Sequence, residues 1–171
     1  MKILLIYKSK TGFTERYANW ISEEIDCEIV NISNIQSINI KAYDLIIYGS
    51  RIHAGRIDGL DKVKKLNLEN KLIIFATGAT PEETDYIQDV WRNNLNQKEL
   101  QSIKHFYISA GLNYERMGFL DKAMMKMAYV MLEKKKDKSA EDIGMQNSIK
   151  KSYDISDKSK IKPLVEYIKS L

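Results

Sequence analysis

The stretch LLIYKSKTGFTERYANWI, residues 4–21, predicts a buried strand that runs through a hydroxyl-rich turn into a helix. A helix N-terminus carries unpaired N–H groups and a partial positive charge, so it binds anions readily. The hydroxyls of Ser9, Thr11 and Thr14 add hydrogen-bond donors. Gly12 lets the backbone approach a ligand closely. The stretch therefore favours a phosphate-binding loop over the alternative, a plain turn with an N-cap threonine.

Five apolar runs along the chain predict a sheet. Strands this continuously hydrophobic are usually covered on both faces, as in a parallel sheet. Helical patterns separate several runs, so the fold class is predicted to be α/β, a doubly wound five-stranded parallel sheet of order 2-1-3-4-5. Ligands should gather after strands 1 and 3, where the strand order reverses. The runs are KILLIY (2–7), CEIVNI (27–32), DLIIYG (44–49), KLIIFAT (71–77) and HFYISAG (105–111).

The chain of 171 residues is long enough for one domain with a substantial core, so residues 1–171 are predicted to form a single domain. The long segment between the fifth strand and the last helix, residues 112–157, is predicted to be a helical insertion. Within the sheet region, Thr80-Pro81-Glu82-Glu83 has the form of a capping box and predicts a helix start.

Composition excludes several classes of protein. Hydrophobic residues make up 44% and charged residues 29%, a globular balance. No apolar run is long enough for a membrane span or a signal peptide, so a cytoplasmic location is expected. The single cysteine, Cys27, excludes an intrachain disulfide and a cysteine metal cluster, and no metal is expected. The net charge of +4 comes without any nucleic-acid-binding motif, so no nucleic-acid partner is expected.

The sequence lacks the motifs of three other kinds of phosphate site. The chain has no G-x-x-x-x-G-K-[ST] motif for a Walker-type site and no G-x-G-x-x-G after the first strand for a nicotinamide site. A phosphoacceptor receiver domain needs aspartates at the ends of strands 1 and 3. Those ends read Tyr7-Lys8 and Gly49-Ser50 here.

The pattern Tyr7-x-Ser9-x-Thr11-Gly12-x-Thr14-x-x-x-Ala18-x-x-Ile21 resembles the flavodoxin signature. In that family the loop holds the phosphate of FMN through backbone amides and hydroxyls. The resemblance therefore implies a flavodoxin-like fold with FMN as cofactor. It assigns phosphate contacts to Ser9, Lys10, Thr11, Gly12, Phe13 and Thr14.

The same resemblance implies that loops after strands 3 and 4 hold the flavin ring, with the loop after strand 5 closing the side. The first is predicted as a loop over GSRIHAGRI, 49–57, and the second is ATGATPEE, 76–83. The expected cofactor-binding residues are Ser50, Arg51, Ile52, His53, Ala54, Gly55, Thr77, Gly78, Ala79, Gly111, Leu112, Asn113 and Tyr114.

His53 is the candidate catalytic side chain. It stands where an aromatic ring often packs on the flavin in this family, and a histidine there can stack, donate a hydrogen bond or titrate. The alternative is a solvated loop histidine.

The insertion predicts an amphipathic helix near 118–135, with one apolar face and flanking lysines. Such a face usually covers the edge of a core, but methionines also suit irregular apolar ligands. The basic helix over 118–138 can also rest on anionic lipid, which would place the protein peripherally on the inner face of a membrane. The predicted face is Leu120, Ala123, Met124, Met127, Val130 and Met131.

Gly111, the Leu112-x-Tyr114 motif, the turn Gly118-Phe119-x-Asp121-Lys122 and the methionine-rich helix resemble the menaquinone-dependent protoporphyrinogen oxidase family. That resemblance implies an FMN-dependent oxidoreductase acting on a tetrapyrrole and passing electrons to a quinone. His53-Ala54 departs from the oxidase pattern, which places the substrate in question but not the flavin. The alternative is a low-potential electron carrier that docks to redox proteins, although such flavodoxins are typically acidic and this chain is basic.

Overall fold

The computed structural model describes residues 1–66, 68, 71–82 and 84–171. Its central sheet has the strand order β2-β1-β3-β5-β6, and every neighbouring pair is parallel. The two-residue β4 pairs only with the end of β3, so this order confirms the predicted order 2-1-3-4-5 of a flavodoxin-like doubly wound fold. The strands are β1 (Ile3–Lys8), β2 (Glu28–Asn31), β3 (Leu45–His53), β4 (Arg56–Ile57), β5 (Leu72–Gly78), β6 (Lys104–Ser109), β7 (Gly111–Leu112) and β8 (Tyr153–Asp154).

Helices cover both faces of the sheet, which explains why its strands are apolar throughout. Alternate side chains of β1 point to opposite layers. Leu5 packs beneath α1 and α7, whereas Leu4 and Ile6 face α2 and α3. The helices are α1 (Phe13–Glu24), α2 (Leu60–Lys64), α3 (Asp85–Asn94), α4 (Gln97–Ser102), α5 (Phe119–Lys134), α6 (Ala140–Ser148) and α7 (Lys162–Lys169).

Two predicted boundaries were wrong. Residues 49–57 are not a loop, because β3 continues through His53 and turns back into β4. The fifth strand of the sheet ends at Ser109, and Gly111 belongs instead to the separate strand β7.

The predicted helix start at Pro81 was also wrong, since α3 begins at Asp85. The carboxylate of Glu82 accepts hydrogen bonds from the backbone N–H and the hydroxyl of Ser109, so it is drawn toward β6. Glu83, the remaining member of the predicted capping box, lies outside the described residues.

The insertion, residues 112–157, contains α5 and α6 and is closed at its base by the antiparallel pair of β7 and β8. The predicted helix is confirmed as α5. Its methionine face does not cover a core edge, because Leu120, Met127 and Met131 are exposed. None of the helices in the described ranges is long and apolar enough to cross a bilayer. That residues 1–171 form a single domain stays a prediction.

Candidate functional site

The loop after β1 presents an open helix N-terminus at the carboxyl edge of the sheet. Gly12 is the N-cap of α1 and has a φ of 95°, a conformation that glycine adopts without strain. The hydroxyl of Ser9 accepts a 3.2 Å hydrogen bond from the N–H of Gly12 and shapes the loop. Among the described residues no side chain caps α1, so the N–H groups of its first turn are available to an anion.

Two of the predicted phosphate-binding side chains point inward. The hydroxyls of Thr14 and Thr77 lie 2.8 Å apart in a buried hydrogen bond. Phe13 packs in the core between α1 and the sheet. Thr14 therefore ties the loop after β1 to the end of β5. Thr14 and Phe13 can offer a ligand only their backbone groups.

The β3–β4 hairpin brings the predicted residues 50–55 to the same edge. Its two turn residues, Ala54 and Gly55, have φ values of 49° and 75°, which matches a two-residue hairpin turn with both central residues left-handed. The side chain of Asn94 in α3 holds the hairpin through a 2.8 Å hydrogen bond to the carbonyl of Gly55. It also accepts a 2.9 Å hydrogen bond from the N–H of Ile57.

A buried carboxylate from the insertion draws the two loops together. Asp121 in the first turn of α5 lies 2.9 Å from Lys10 Nζ and 3.0 Å from Arg51 Nη1, both through its Oδ2 atom. Its other oxygen, Oδ1, lies 3.0 Å from Nε2 of His53. We call Lys10, Arg51, His53 and Asp121 the Asp121 cluster. It joins the loop after β1, the hairpin and the insertion.

The cluster sets the ionisation of its carboxyl group. Burial by itself raises the pKa of Asp121, but hydrogen bonds and charge from Lys10 and Arg51 outweigh it and lower the pKa from 3.8 to about 2. Two buried nitrogens of the cluster, Arg51 Nε and His53 Nε2, have no hydrogen-bond partner of good geometry among the described residues. Buried donors of this kind are usually satisfied, and here each lies near a carboxylate: Arg51 Nε is 3.7 Å from Asp58 Oδ2 and His53 Nε2 is 3.0 Å from Asp121 Oδ1.

The loop after β5 is fixed by tyrosines from two directions. The hydroxyl of Tyr107 in β6 donates a 2.6 Å hydrogen bond to the carbonyl of Thr80. The hydroxyl of Tyr153 in β8 donates a 2.9 Å hydrogen bond to the carbonyl of Ala79. The carbonyl of Gly78 accepts a 2.7 Å hydrogen bond from the N–H of Ala110. The insertion therefore helps to hold a loop that the sequence assigns to the flavin ring.

The residues after β6 have three roles. Gly111 and Leu112 form β7, while the hydroxyl of Tyr114 donates to the carbonyl of Ile149 and anchors the end of α6. Leu112 and Asn113 line a cleft of 540 Å³ that begins at Thr11 and Gly12 and runs along α1. Small-molecule sites typically measure about 300–1,000 Å³. The cleft adjoins the loop after β1 but does not include the hairpin.

Arg116 lies directly over this loop. A Cβ atom placed on Gly12 would come within 2.7 Å of the Arg116 Nη1 atom, so the guanidinium covers the position where α1 begins. One placed on Gly118 would come within 3.1 Å of Lys10 Nζ. The start of the insertion therefore packs closely on the loop after β1, with Gly12 on the loop and Gly118 on the insertion allowing the approach.

Sequence reasoning missed Arg116 as a site residue and noted Asp121 only as part of the Gly118–Lys122 turn. It also missed Asp58, which follows the hairpin and lies 2.5 Å from Lys8 Nζ. The uneven basic charge of the insertion was the available signal for Arg116. Within the described residues, no group of three or more His, Cys, Asp or Glu side chains is placed to hold a metal ion.

The chain is similar to known proteins over most of its length. Residues 4–139 match a family described as the flavodoxin domain. An uncharacterized protein of Methanocaldococcus jannaschii is 33% identical over 112 residues, which covers 62% of this chain and 73% of the relative.

The solved structures that this chain resembles include a flavodoxin and a flavoprotein with bound FMN. Oxidised flavodoxin 2 from Bacillus cereus has a TM-score of 0.47 and 22% identity, over 64% of this chain and 84% of that one. A flavoprotein from Lactobacillus acidophilus, solved in complex with FMN, has a TM-score of 0.42 and 20% identity, over 63% of this chain and 91% of that one. Identities this low carry no information about substrates.

Proposed function

The chain belongs to the flavodoxin domain family, and from this premise we propose that it is an FMN-dependent oxidoreductase whose electron partners are a tetrapyrrole and a quinone. The cofactor is FMN, as the sequence predicts and the family assignment confirms. Bound FMN supplies the redox chemistry, while the protein sets orientation, access and potential. Membership of this family shows that the chain is a redox flavoprotein. The identity of its substrate is the part that we propose.

The uncapped N-terminus of α1 is the observation from which we propose which residues bind FMN. The phosphate of FMN would accept hydrogen bonds from backbone N–H groups that no described side chain uses. Thr11 and Ser9 add hydroxyls at the same loop, and Gly12 keeps its surface free of a side chain. The donor set therefore fits a phosphate dianion without a metal.

The hairpin and the loop after β5 are the proposed walls for the flavin ring. Lys10 and Arg51 share the single carboxylate of Asp121, so the cluster retains positive charge that favours negative charge at this edge and supports binding of a reduced, anionic flavin. The ring of His53 can hold or release a proton at Nε2, and Asp121 orients that nitrogen from 3.0 Å away. His53 is therefore the proposed acid–base group, with Asp121 as its positioning residue.

The experiment begins with the cofactor and proceeds to the substrate. Purified protein is stripped of flavin and titrated with FMN, and the holoprotein is then assayed with protoporphyrinogen and a menaquinone analogue. FMN-dependent turnover that falls in a His53→Gln variant supports the proposal. An active-site role predicts that this variant keeps its FMN affinity. Tight FMN binding without any turnover would remove the substrate assignment and leave the flavoprotein intact.

The second candidate is a one-electron carrier between redox proteins. The match to the flavodoxin domain family supports it equally, because that match does not distinguish an enzyme from a carrier. A reductive titration separates the candidates. Two well-resolved one-electron steps favour a carrier, whereas a single two-electron step favours the oxidoreductase.

Peripheral contact with an anionic membrane is proposed for α5. Phe119 is 83% exposed, Leu120 75%, Met127 61% and Met131 68%. Between residues 115 and 138 seven basic residues stand against four acidic ones, and one of the acids, Asp121, is buried in ion pairs. An exposed apolar stripe beside lysines is the pattern of a helix that lies in the interface of anionic lipid. This surface also suits a protein that exchanges electrons with a membrane quinone.

Vesicle sedimentation tests this contact. Wild-type protein should sediment with vesicles of phosphatidylserine and phosphatidylcholine and remain free with phosphatidylcholine alone. The double variant Met127→Ser, Met131→Ser should remain free with both. Equal sedimentation of wild type and double variant would exclude α5 as the contact, and concentration-dependent dimerisation would instead indicate a second copy of the chain.

A further inference from the structure

The geometry points to Arg116 as a phosphate-binding residue that the insertion contributes to the FMN site. This inference rests on the proposed cofactor site and deepens it, because it makes cofactor affinity depend on a segment outside the sheet. The first observation is position. The guanidinium lies over Gly12, where an added Cβ would be 2.7 Å from Nη1.

The second observation is the state of the neighbouring cations. Lys8 pairs with Asp58 at 2.5 Å and Lys10 with Asp121 at 2.9 Å. Arg16, on the next turn of α1, pairs with Asp154 at 2.5 Å. In the part of the chain that the structure describes, Arg116 forms no ion pair within 4.0 Å, so its charge is available to a ligand.

The acidic residues that share the cleft do not change this conclusion, because each already accepts a hydrogen bond from another group. The carboxylate of Glu15 accepts from the Tyr7 hydroxyl at 2.9 Å. Glu115 accepts from the Ser152 hydroxyl at 2.7 Å. Asp154 accepts from Arg16 at 2.5 Å. The backbone N–H of Arg116 donates to Asn113 Oδ1 at 3.1 Å, which fixes the base of the side chain.

The third observation is electrostatic. The N-terminus of a helix carries a partial positive charge of about half an elementary charge, so an unpaired guanidinium beside it is repelled. An anion between the two reverses the sign of both interactions. Arg116 then donates charge-assisted hydrogen bonds from one side, and the α1 amides donate from the other. A phosphate at the loop accounts for a placement that is otherwise unfavourable.

FMN and riboflavin together test the inference, because riboflavin is the same flavin without the phosphate. The flavin-free protein is titrated with each, in wild type and in Arg116→Gln. Loss of one charge-assisted hydrogen bond should weaken FMN binding about tenfold. Riboflavin affinity should stay within a factor of two of wild type. FMN affinity should also fall less steeply with added salt in the variant, because one screened charge pair is gone.

Arg92→Gln is the matched control, since it removes the same charge from an exposed ion pair with Asp89 on α3. It should change neither affinity. Equal losses of FMN and riboflavin in Arg116→Gln would assign the residue a structural role and overturn the inference, as would unchanged FMN affinity. Wild-type protein that binds neither flavin would instead remove the proposed function itself.

Discussion

Two parts of the molecule form the site, and different interactions hold them in place. One is the sheet with its covering helices, which we call the sheet half, and the other is the insertion, residues 112–157. In the sheet half, α1 is held by side chains such as Tyr17 and Ile21, which are fully buried, and its loop is shaped by backbone geometry. In the insertion, the large apolar side chains at the start of α5 face solvent, and the buried side chain of that helix is the carboxylate Asp121.

This difference predicts different responses to perturbation. Apolar burial neither titrates with pH nor is screened by moderate salt, whereas ion pairs depend on both. The sheet half should therefore persist under conditions that release the insertion. A site assembled from both halves can then keep the loop after β1 while losing Arg116 and the orientation of His53. The predictions below test this contrast, beginning with the largest expected effect.

Gly49→Ala should destabilise the sheet most. A Cβ atom at Gly49 would lie 1.9 Å from the ring of Phe75 on the neighbouring strand, so the ring must leave its place in the core. We expect a loss of about 3 kcal/mol in the free energy of unfolding, typical of a badly overpacked core. Urea unfolding followed by the fluorescence of Trp20 and Trp91 measures it, because both tryptophans belong to the sheet half.

The matched control is Gly144→Ala in α6, where an added Cβ meets nothing within 4 Å. Alanine is the better helix former by about 1 kcal/mol, so this change should not destabilise the protein. Equal destabilisation by the two substitutions would contradict the contrast between a packed sheet and an open insertion.

Asp121→Asn should release the insertion while sparing the sheet. It leaves Lys10 without its counter-charge and leaves Arg51 with only the carboxylate of Asp58 at 3.7 Å, and removing one partner of a buried pair costs about 3–5 kcal/mol. Because Lys10 is half exposed, we expect about 2 kcal/mol here. Native-state cleavage by trypsin within 112–157 should accelerate about 30-fold, the factor that corresponds to this free energy.

Asp89→Asn removes a carboxylate of the exposed pair with Arg92 and should leave cleavage unchanged. If Asp121→Asn instead lowered the urea midpoint of the tryptophan signal as much as Gly49→Ala does, the insertion and the sheet would be one cooperative unit.

The sheet half was readable from the sequence because its signals are local. Consecutive apolar residues predict each strand, and the pattern from Tyr7 to Ile21 places the loop. The hairpin was missed because the apolar run stops at Gly49, although Ser50 and Arg51 still pair with neighbouring strands. Backbone hydrogen bonding extends β3 where side-chain hydrophobicity does not.

The insertion's contribution was not readable in the same way. The cluster joins Asp121 to Arg51 across 70 residues of sequence, and no local sequence pattern predicts such a pairing. Helical spacing correctly put Leu120, Met127 and Met131 on one face of α5, but periodicity does not say which face is buried. The ion pairs of Asp121 hold that side chain in the interior, so the apolar face of α5 points toward solvent.

The pH dependence of the insertion should follow the carboxyl group of Asp121. Its folded pKa of about 2 lies below the ordinary value of 3.8, so ionisation stabilises the folded state. That contribution is complete above pH 3.8 and is lost as the pH falls toward 2. The rate of pepsin cleavage within 112–157, divided at each pH by the rate on an unfolded substrate to remove pepsin's own pH dependence, should therefore stay low at pH 5 and rise steeply only near pH 2. Release beginning above pH 5 would mean that another group controls the insertion.

The exposed face of α5 should matter least to stability. Met127→Ser and Met131→Ser remove apolar side chains that folding does not bury, so each should change the free energy of unfolding by less than about 0.5 kcal/mol. Urea unfolding and trypsin cleavage within 112–157 measure the two halves separately. A loss above about 2 kcal/mol would mean that this face packs against something in solution, since truncating a buried methionine costs that much or more. If stability is unchanged while vesicle binding is lost, the face serves an external surface and does not help to fasten the insertion.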